Sequence, residues 1–111
     1  MTAGGRPSPA EFQVLLALVD GRKHGNAIKV DVAERTEGAI DMGPGTLYGA
    51  IKRLLRSGWI SEVDRAPDDG DEDGRRRYYA VTPEGLDVAR AEAHRMSALL
   101  NIAVDKALLD R

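Results

Sequence analysis

Residues 43–55 read GPGTLYGAIKRLL, a glycine-rich start that leads into apolar residues at helical spacing. Gly43 and Pro44 are typical of a helix start, so this stretch predicts a helix over about 44–56. One face of that helix is apolar and carries Leu47, Ile51, Leu54 and Leu55. The opposite face carries Gly45, Gly49, Lys52, Arg53 and Arg56, with Thr46 and Tyr48 at its margins.

The glycines of this stretch have three readings. A phosphate-binding P-loop needs the pattern G-x-x-x-x-G-K-[ST], and here Gly49 is followed by Ala50 instead of lysine. A plain helix start leaves Gly45 and Gly49 unexplained, because each costs the helix about 1 kcal/mol relative to alanine. A recognition helix accounts for both: glycines let the backbone approach base edges while cations hold phosphates.

The order of the predicted elements places this helix third. A helix over 8–20 starts with a Ser8, Pro9 and Glu11 capping signature, and a second helix covers about 25–35. Strand-like segments at 59–65 and 75–81 then flank an acidic loop at 66–74, and Thr82 and Pro83 restart a helix. We therefore expect a mainly α (α+β) fold, a winged helix-turn-helix. Its divisions would be a disordered tail (1–7), a DNA-binding domain (8–81, wing about 59–81) and a dimerisation helix (82–111).

Apolar residues in the last predicted helix recur at alternating spacings of three and four, like the heptads of a coiled coil. The chain from residue 86 to residue 111 contains no proline or glycine, so we expect one uninterrupted helix. The body before it is too short to cover that helix, and a second copy of the chain is the simplest partner. The predicted homodimer interface is Leu86, Ala89, Ala93, Met96, Leu99, Leu100, Ala103 and Ala107.

Composition narrows the function classes. The 111 residues contain no cysteine and no long apolar run, which predicts a soluble, cytoplasmic chain without thiolate metal sites. No catalytic constellation is recognisable, so we expect neither an enzyme nor a cofactor. The acidic loop superficially resembles a calcium loop, but its register fails, and we expect no metal. The net charge of −2 keeps an alternative open, a winged-helix protein-interaction module without DNA binding.

Three motifs resemble the PadR family of bacterial transcriptional regulators: HGNAI at 24–28, GTLYGAIKRLLRSGWI at 45–60 and RRRYYAVTPEG at 75–85. The resemblance implies a homodimeric repressor that binds an inverted-repeat operator, in the compact branch of the family with a single C-terminal dimerisation helix. Some members respond to small hydrophobic or phenolic effectors. Asn26 and Gly49 depart from the family pattern, which commonly has tyrosine and proline there.

These inferences define the expected sites. The tyrosines of the second wing strand should alternate, one inward and one outward, and Trp59 should fill the core. The candidate effector pocket is Phe12, Leu16, Met96, Leu99 and Leu100, for which a filled dimer core is the alternative. The expected DNA-binding residues are Gly45, Thr46, Tyr48, Gly49, Lys52, Arg53, Arg56, Arg65, Arg75, Arg76 and Arg77.

Overall fold

A computed structural model describes residues 5–64 and 77–110 of the chain. The described elements are α1 (Pro9–Leu18), β1 (Lys23–His24), α2 (Gly25–Arg35), α3 (Pro44–Ser57), β2 (Ile60–Val63), β3 (Tyr78–Val81) and α4 (Pro83–Asp105). Three helices, two wing strands and a long final helix follow one another as predicted, so the winged helix-turn-helix fold is confirmed. None of the described helices is both long and apolar enough to cross a membrane.

The sheet has three strands in the order β1-β3-β2, where two were predicted. Both pairings are antiparallel; Val63 of β2 faces Tyr78 of β3, and His24 of β1 faces Tyr78 from the other side. The additional strand, β1, is two residues long and joins α1 to α2. It ties the wing to the connection between the first two helices.

Side-chain caps begin three of the helices. The Ser8 hydroxyl accepts from the Glu11 N–H (3.1 Å), and the Glu11 carboxylate accepts from the Ser8 N–H (2.9 Å), which completes the predicted capping box. The Thr82 hydroxyl accepts from the Gly85 N–H at 3.0 Å. His24 caps α2 through Nδ1, which accepts from the Ala27 N–H at 3.1 Å. Such caps each contribute about 1 kcal/mol.

The core is built around α1, which packs against α2, α3 and α4. Trp59 is buried in this core, as predicted. Leu55 is not, because 37% of it is exposed while Ala50 is fully buried; the apolar stripe of α3 is therefore rotated slightly from the predicted one. The largest fully buried side chains are Leu15, Leu18, Ile28, Leu54, Val14 and Val32.

Both tyrosines of β3 are buried, so the prediction of one inward and one outward tyrosine is wrong. Tyr79 belongs to the main core. Tyr78 lies on the other face of β3, where its ring meets the imidazole of His24 edge to face at a centroid distance of 5.3 Å. Strand β1 thus covers a face of the wing that alternation alone would leave to solvent.

The two ends of the described chain differ from the sequence expectation. Helix α4 ends at Asp105, and Ala107 has a left-handed backbone (φ 64°), so the predicted helix to residue 111 is wrong beyond this point. The N–H groups of Ala107 and Leu108 donate back to the carbonyls of Val104 (3.0 Å) and Ala103 (2.8 Å), a Schellman end. At the other terminus, residues 5–7 were assigned to the tail, yet Pro7 is buried and Arg6 forms an ion pair with Glu92 at 3.5 Å.

Candidate nucleic-acid interface

The outward face of α3 is open at its N-terminal end. Gly43 and Pro44 begin the helix, and Gly45 and Thr46 are exposed in its first turn. A Cβ atom at Gly45 would have no heavy-atom neighbour within 4 Å. A Cβ atom at Gly49, one turn further on, would approach only Nη1 of Arg53, at 3.4 Å. The protein's own packing therefore does not require glycine at position 45.

The second half of this face is cationic. Lys52, Arg53 and Arg56 are exposed, and α3 contains no acidic residue. Among the described residues, Lys52 and Arg56 have no ion-pair partner, whereas Nε of Arg53 donates to a carboxylate oxygen of Glu11 at 2.6 Å. Two of the three cations are thus available for phosphates, and the third is held by α1.

Tyr48 lies between these two halves, with half of its surface exposed. Its ring packs against Gly25 at the start of α2, so closely that a Cβ atom at position 25 would lie 2.5 Å from the phenol oxygen. The backbone of Gly25 is not left-handed, so the reason for glycine here is space for Tyr48. This contact was missed in the sequence, where Gly25 is a motif glycine with no assigned partner.

The wing contributes one described candidate. Arg77 is exposed immediately before β3. Arg65, Arg75 and Arg76 lie outside the described residues, as does the acidic loop 66–74 to which the calcium hypothesis applied. Within the described ranges no cluster of three histidine, aspartate or glutamate residues could hold a metal.

The family follows from comparison with known sequences. The profile described as the transcriptional regulator PadR-like family matches residues 14–91, most of the chain. The chain belongs to this family. Because PadR-like proteins are transcriptional regulators, this confirms the prediction that the chain is not an enzyme.

Several relatives of this PadR-like protein are informative. It is 36% identical over 105 residues to an uncharacterized 37.1 kDa protein in transposon TN4556 of Streptomyces fradiae; the match covers 95% of this chain and spans only 28% of that relative. A transcriptional regulator from Clostridium thermocellum is 26% identical, with 87% of each chain covered and a TM-score of 0.72. Bacillus subtilis PadR in complex with operator DNA is similar in fold: the TM-score is 0.60 and the identity 18%, with 75% of this chain and 45% of that chain covered.

The predicted dimer interface of this PadR-like protein divides into three parts. Met96, Leu99 and Leu100 are exposed, by 36%, 66% and 43% respectively, and Ala93 is exposed as well. Leu86 and Ala103 are half-buried. Two positions were assigned wrongly: Ala89 is buried in the core of its own protomer, and Ala107 lies beyond the end of α4.

A buried carboxylate on α4 was missed. Glu92 is only 8% exposed and accepts from Arg95 Nε (3.0 Å) and Nη2 (2.7 Å), with Arg6 at 3.5 Å. The hydrogen bonds from Arg95 hold the pKa of Glu92 below its usual value, and the charges of Arg95 and Arg6 act in the same direction against burial. An acid at this position interrupts the apolar seam, and that is the signal the sequence offered.

The candidate effector residues do not share one environment in the protomer. Phe12 is part of the core, whereas Leu16 is 38% exposed, like its partners on α4. Two described grooves lie elsewhere. One, of 520 Å³, is lined by Gly5, Arg6, Glu11, Arg53, Arg56, Ser57 and Trp59. The other, of 320 Å³, is lined by Gly5, Arg6, Glu84, Asp87, Val88, Ala91 and Arg95.

Proposed function

We propose that this PadR-like regulator binds an inverted-repeat operator as a homodimer, with α3 of each subunit in a major groove. The observation that carries the proposal is the outward face of α3, which is open at Gly45 and cationic at Lys52 and Arg56 without a competing acid on the helix. A recognition helix meets base edges near its N-terminus, and its cations neutralise phosphates.

Each exposed side chain of α3 then has a role. Thr46 and Tyr48 lie in the first turns, where hydroxyl groups can donate to base edges or phosphates. Lys52 and Arg56 are one turn apart and unpaired, which suits them to phosphate contacts. Arg77, with Arg65, Arg75 and Arg76, would add backbone contacts from the wing.

The dimer is supported by the exposed apolar surface of the C-terminal half of α4. Met96, Leu99, Leu100 and Ile102 together leave far more apolar area in water than single scattered residues do. Leu16 and Val19 extend this surface onto α1, which packs against α4. A second copy of the chain would cover it and would place two α3 helices for the two half-sites of one operator.

Salt dependence of duplex binding tests the operator proposal. A duplex selected by the wild-type protein from a random library should lose affinity steeply as salt rises, since neutralised phosphates release counterions. The Lys52→Ala/Arg56→Ala variant should weaken binding and reduce the slope of log K against log salt by about 2, one for each lost phosphate contact. The Arg90→Ala/Lys106→Ala variant removes the same charge from α4 and serves as the matched control.

The outcome also separates the alternative function. If the wild-type protein binds no duplex even at low salt, the operator proposal is wrong, and the fold would serve as a protein-interaction module. The net charge of −2 favours that second candidate.

The proposal includes repression and release by a small hydrophobic or phenolic effector. Its support is that Leu16, Met96, Leu99 and Leu100 are apolar, exposed in the protomer and adjacent to the proposed dimer interface. Ligands of this class should lower operator affinity of the dimer, and a Met96→Glu variant that still dimerises should not respond. A reporter gene placed behind the selected operator distinguishes repression from activation.

A further inference from the structure

We propose that Glu11 is a positioning residue for base reading, which holds Arg53 so that its terminal guanidinium nitrogens meet a guanine in each operator half-site. The inference rests on the proposed function and assigns a specificity role to a residue on α1. It starts from the one ion pair that the described structure forms between α1 and α3, between Glu11 and Arg53.

Glu11 is fixed before it meets Arg53. Its Oε1 accepts from the Ser8 N–H at 2.9 Å in the capping box, and only 12% of its side chain is exposed. Its second oxygen, Oε2, accepts from Arg53 Nε at 2.6 Å. A surface ion pair between two flexible side chains contributes little, but here one partner is already immobilised by the helix cap. The charge-assisted bond therefore sets where the guanidinium lies.

The bond leaves the reading end of Arg53 available. Arginine has five N–H donors, and only the Nε–H is used by Glu11. Nη1 lies over Gly49, 3.4 Å from where a Cβ atom would be, so the side chain extends back towards the N-terminal half of α3. This is the half that a recognition helix presents to base edges. The remaining amines can bond O6 and N7 of guanine, the commonest specific contact of arginine in the major groove.

The other cations of α3 lack this arrangement. Lys52 and Arg56 have no acidic partner among the described residues, so nothing comparable orients them. We infer a division of labour in which Arg53 reads a base and Lys52 and Arg56 hold phosphates. Sequence reasoning missed Glu11 because its capping role accounted for it fully, and its contact with Arg53 spans 42 positions.

The Glu11→Gln substitution separates the two roles of Glu11. Glutamine serves in a capping box as glutamate does, so its carbonyl oxygen can keep the Ser8 bond. Its amide nitrogen would then face Arg53, and that nitrogen cannot accept a hydrogen bond. The matched control is Asp87→Asn, which also removes one negative charge but lies on α4. Equal thermal midpoints of the two variants would show that the cap is intact.

The measured quantity is the specificity ratio, the affinity for the selected duplex divided by the affinity for a scrambled duplex. Glu11→Gln should lower this ratio about tenfold, the scale of losing one bidentate base contact, without weakening binding to the scrambled duplex. Arg53→Lys, which keeps the charge and loses the fork, should lower the ratio similarly. In an Arg53→Ala background, Glu11→Gln should have no further effect on the ratio. Sites selected by Glu11→Gln should lose a guanine that wild-type sites share.

Two results would overturn the proposal in different ways. A wild-type protein that binds no duplex would overturn the proposed function, and the role of Glu11 with it. A wild-type protein that binds its selected duplex, combined with an unchanged ratio in Glu11→Gln or additive losses with Arg53→Ala, would overturn the role of Glu11 alone.

Discussion

The phenol ring of Tyr48 on α3 packs directly against Gly25, the first residue of α2. A Cβ atom at position 25 would lie 2.5 Å from the phenol oxygen and 2.9 Å from Cζ, distances that real contacts do not reach. The missing side chain of Gly25 therefore gives Tyr48 its place at the centre of the outward face of α3. Two residues from separate motifs, HGNAI and GTLYGAIKRLLRSGWI, form one structural unit.

Gly25→Ala should displace Tyr48 and weaken operator binding. We expect a loss of about 1–2 kcal/mol in the free energy of unfolding, the usual cost of overpacking a tight contact. In a Tyr48→Ala background the same substitution should be neutral or stabilising, because the alanine then meets no ring. Chemical denaturation of the four proteins in this cycle measures the coupling, and additive effects would contradict the contact.

Gly85→Ala should be the most disruptive glycine substitution in the chain. A Cβ atom there would overlap the backbone carbonyl of Trp59, and that carbonyl also accepts from the Thr82 N–H at 3.0 Å. A backbone neighbour cannot rotate away as a side chain can, so we expect a loss of about 3 kcal/mol or more. The thermal midpoint measures it, and a variant as stable as the wild type would show that α4 does not pack against the wing as described.

Leu99→Glu should convert the proposed dimer to a monomer. Leu99 is 66% exposed in the protomer, so the substitution should leave the protomer folded while placing a charge in the proposed interface. Val30→Glu is the matched control, since Val30 is 44% exposed but lies on α2. Sedimentation velocity should show a shift in mass for Leu99→Glu alone. Equal masses for both variants and the wild type would contradict the interface.

Glu92 should give the protein an acid-sensitive component of stability. Its folded-state pKa lies below the usual 4.5, chiefly through the hydrogen bonds from Arg95. A depressed carboxyl pKa stabilises the fold above the unfolded-state value, and the contribution is lost as pH falls through the folded-state value. We expect Glu92→Gln to cost roughly 1–2 kcal/mol at neutral pH.

Denaturation of both proteins as a function of pH tests this. The difference between wild type and Glu92→Gln should shrink as the solution is acidified below about pH 4.5. In an Arg95→Met background the difference should be much smaller at neutral pH, because the main partner of the carboxylate is gone. A difference that does not vary with pH would exclude the ionised pair as its origin.

Local signals account for the parts of the fold that were predictable. Ser8 and Thr82 start helices through bonds within three residues, and the apolar period of α3 identified the core face to within one position. Strand β1 was missed because two residues have no periodicity, and its pairing with β3 exists only in the tertiary structure. Burial of Tyr78 follows from that pairing and was missed with it.

The same limit applies to the candidate interface. Spacing placed Thr46, Lys52 and Arg56 on the exposed face of α3, because that inference needs only the helical period. Contacts between distant positions, such as Glu11 with Arg53, have no periodic signature. A heptad pattern also does not say which part of a helix packs on its own body, so Ala89 was assigned to the dimer although it completes the protomer core.

Gly49→Ala and Gly45→Ala together separate two reasons for glycine on α3. Both positions have helical backbones that alanine adopts, so each substitution should raise the free energy of unfolding by about 0.5–1 kcal/mol. The Cβ at position 45 would meet nothing, whereas the Cβ at position 49 would press on Arg53 Nη1 at 3.4 Å. If the glycines give clearance for DNA, both variants should bind the selected duplex more weakly. If Gly49 serves to place Arg53, only Gly49→Ala should lower the specificity ratio, and Arg53→Ala should abolish that effect. Unchanged affinity and ratio in both variants would remove the glycines from the recognition surface.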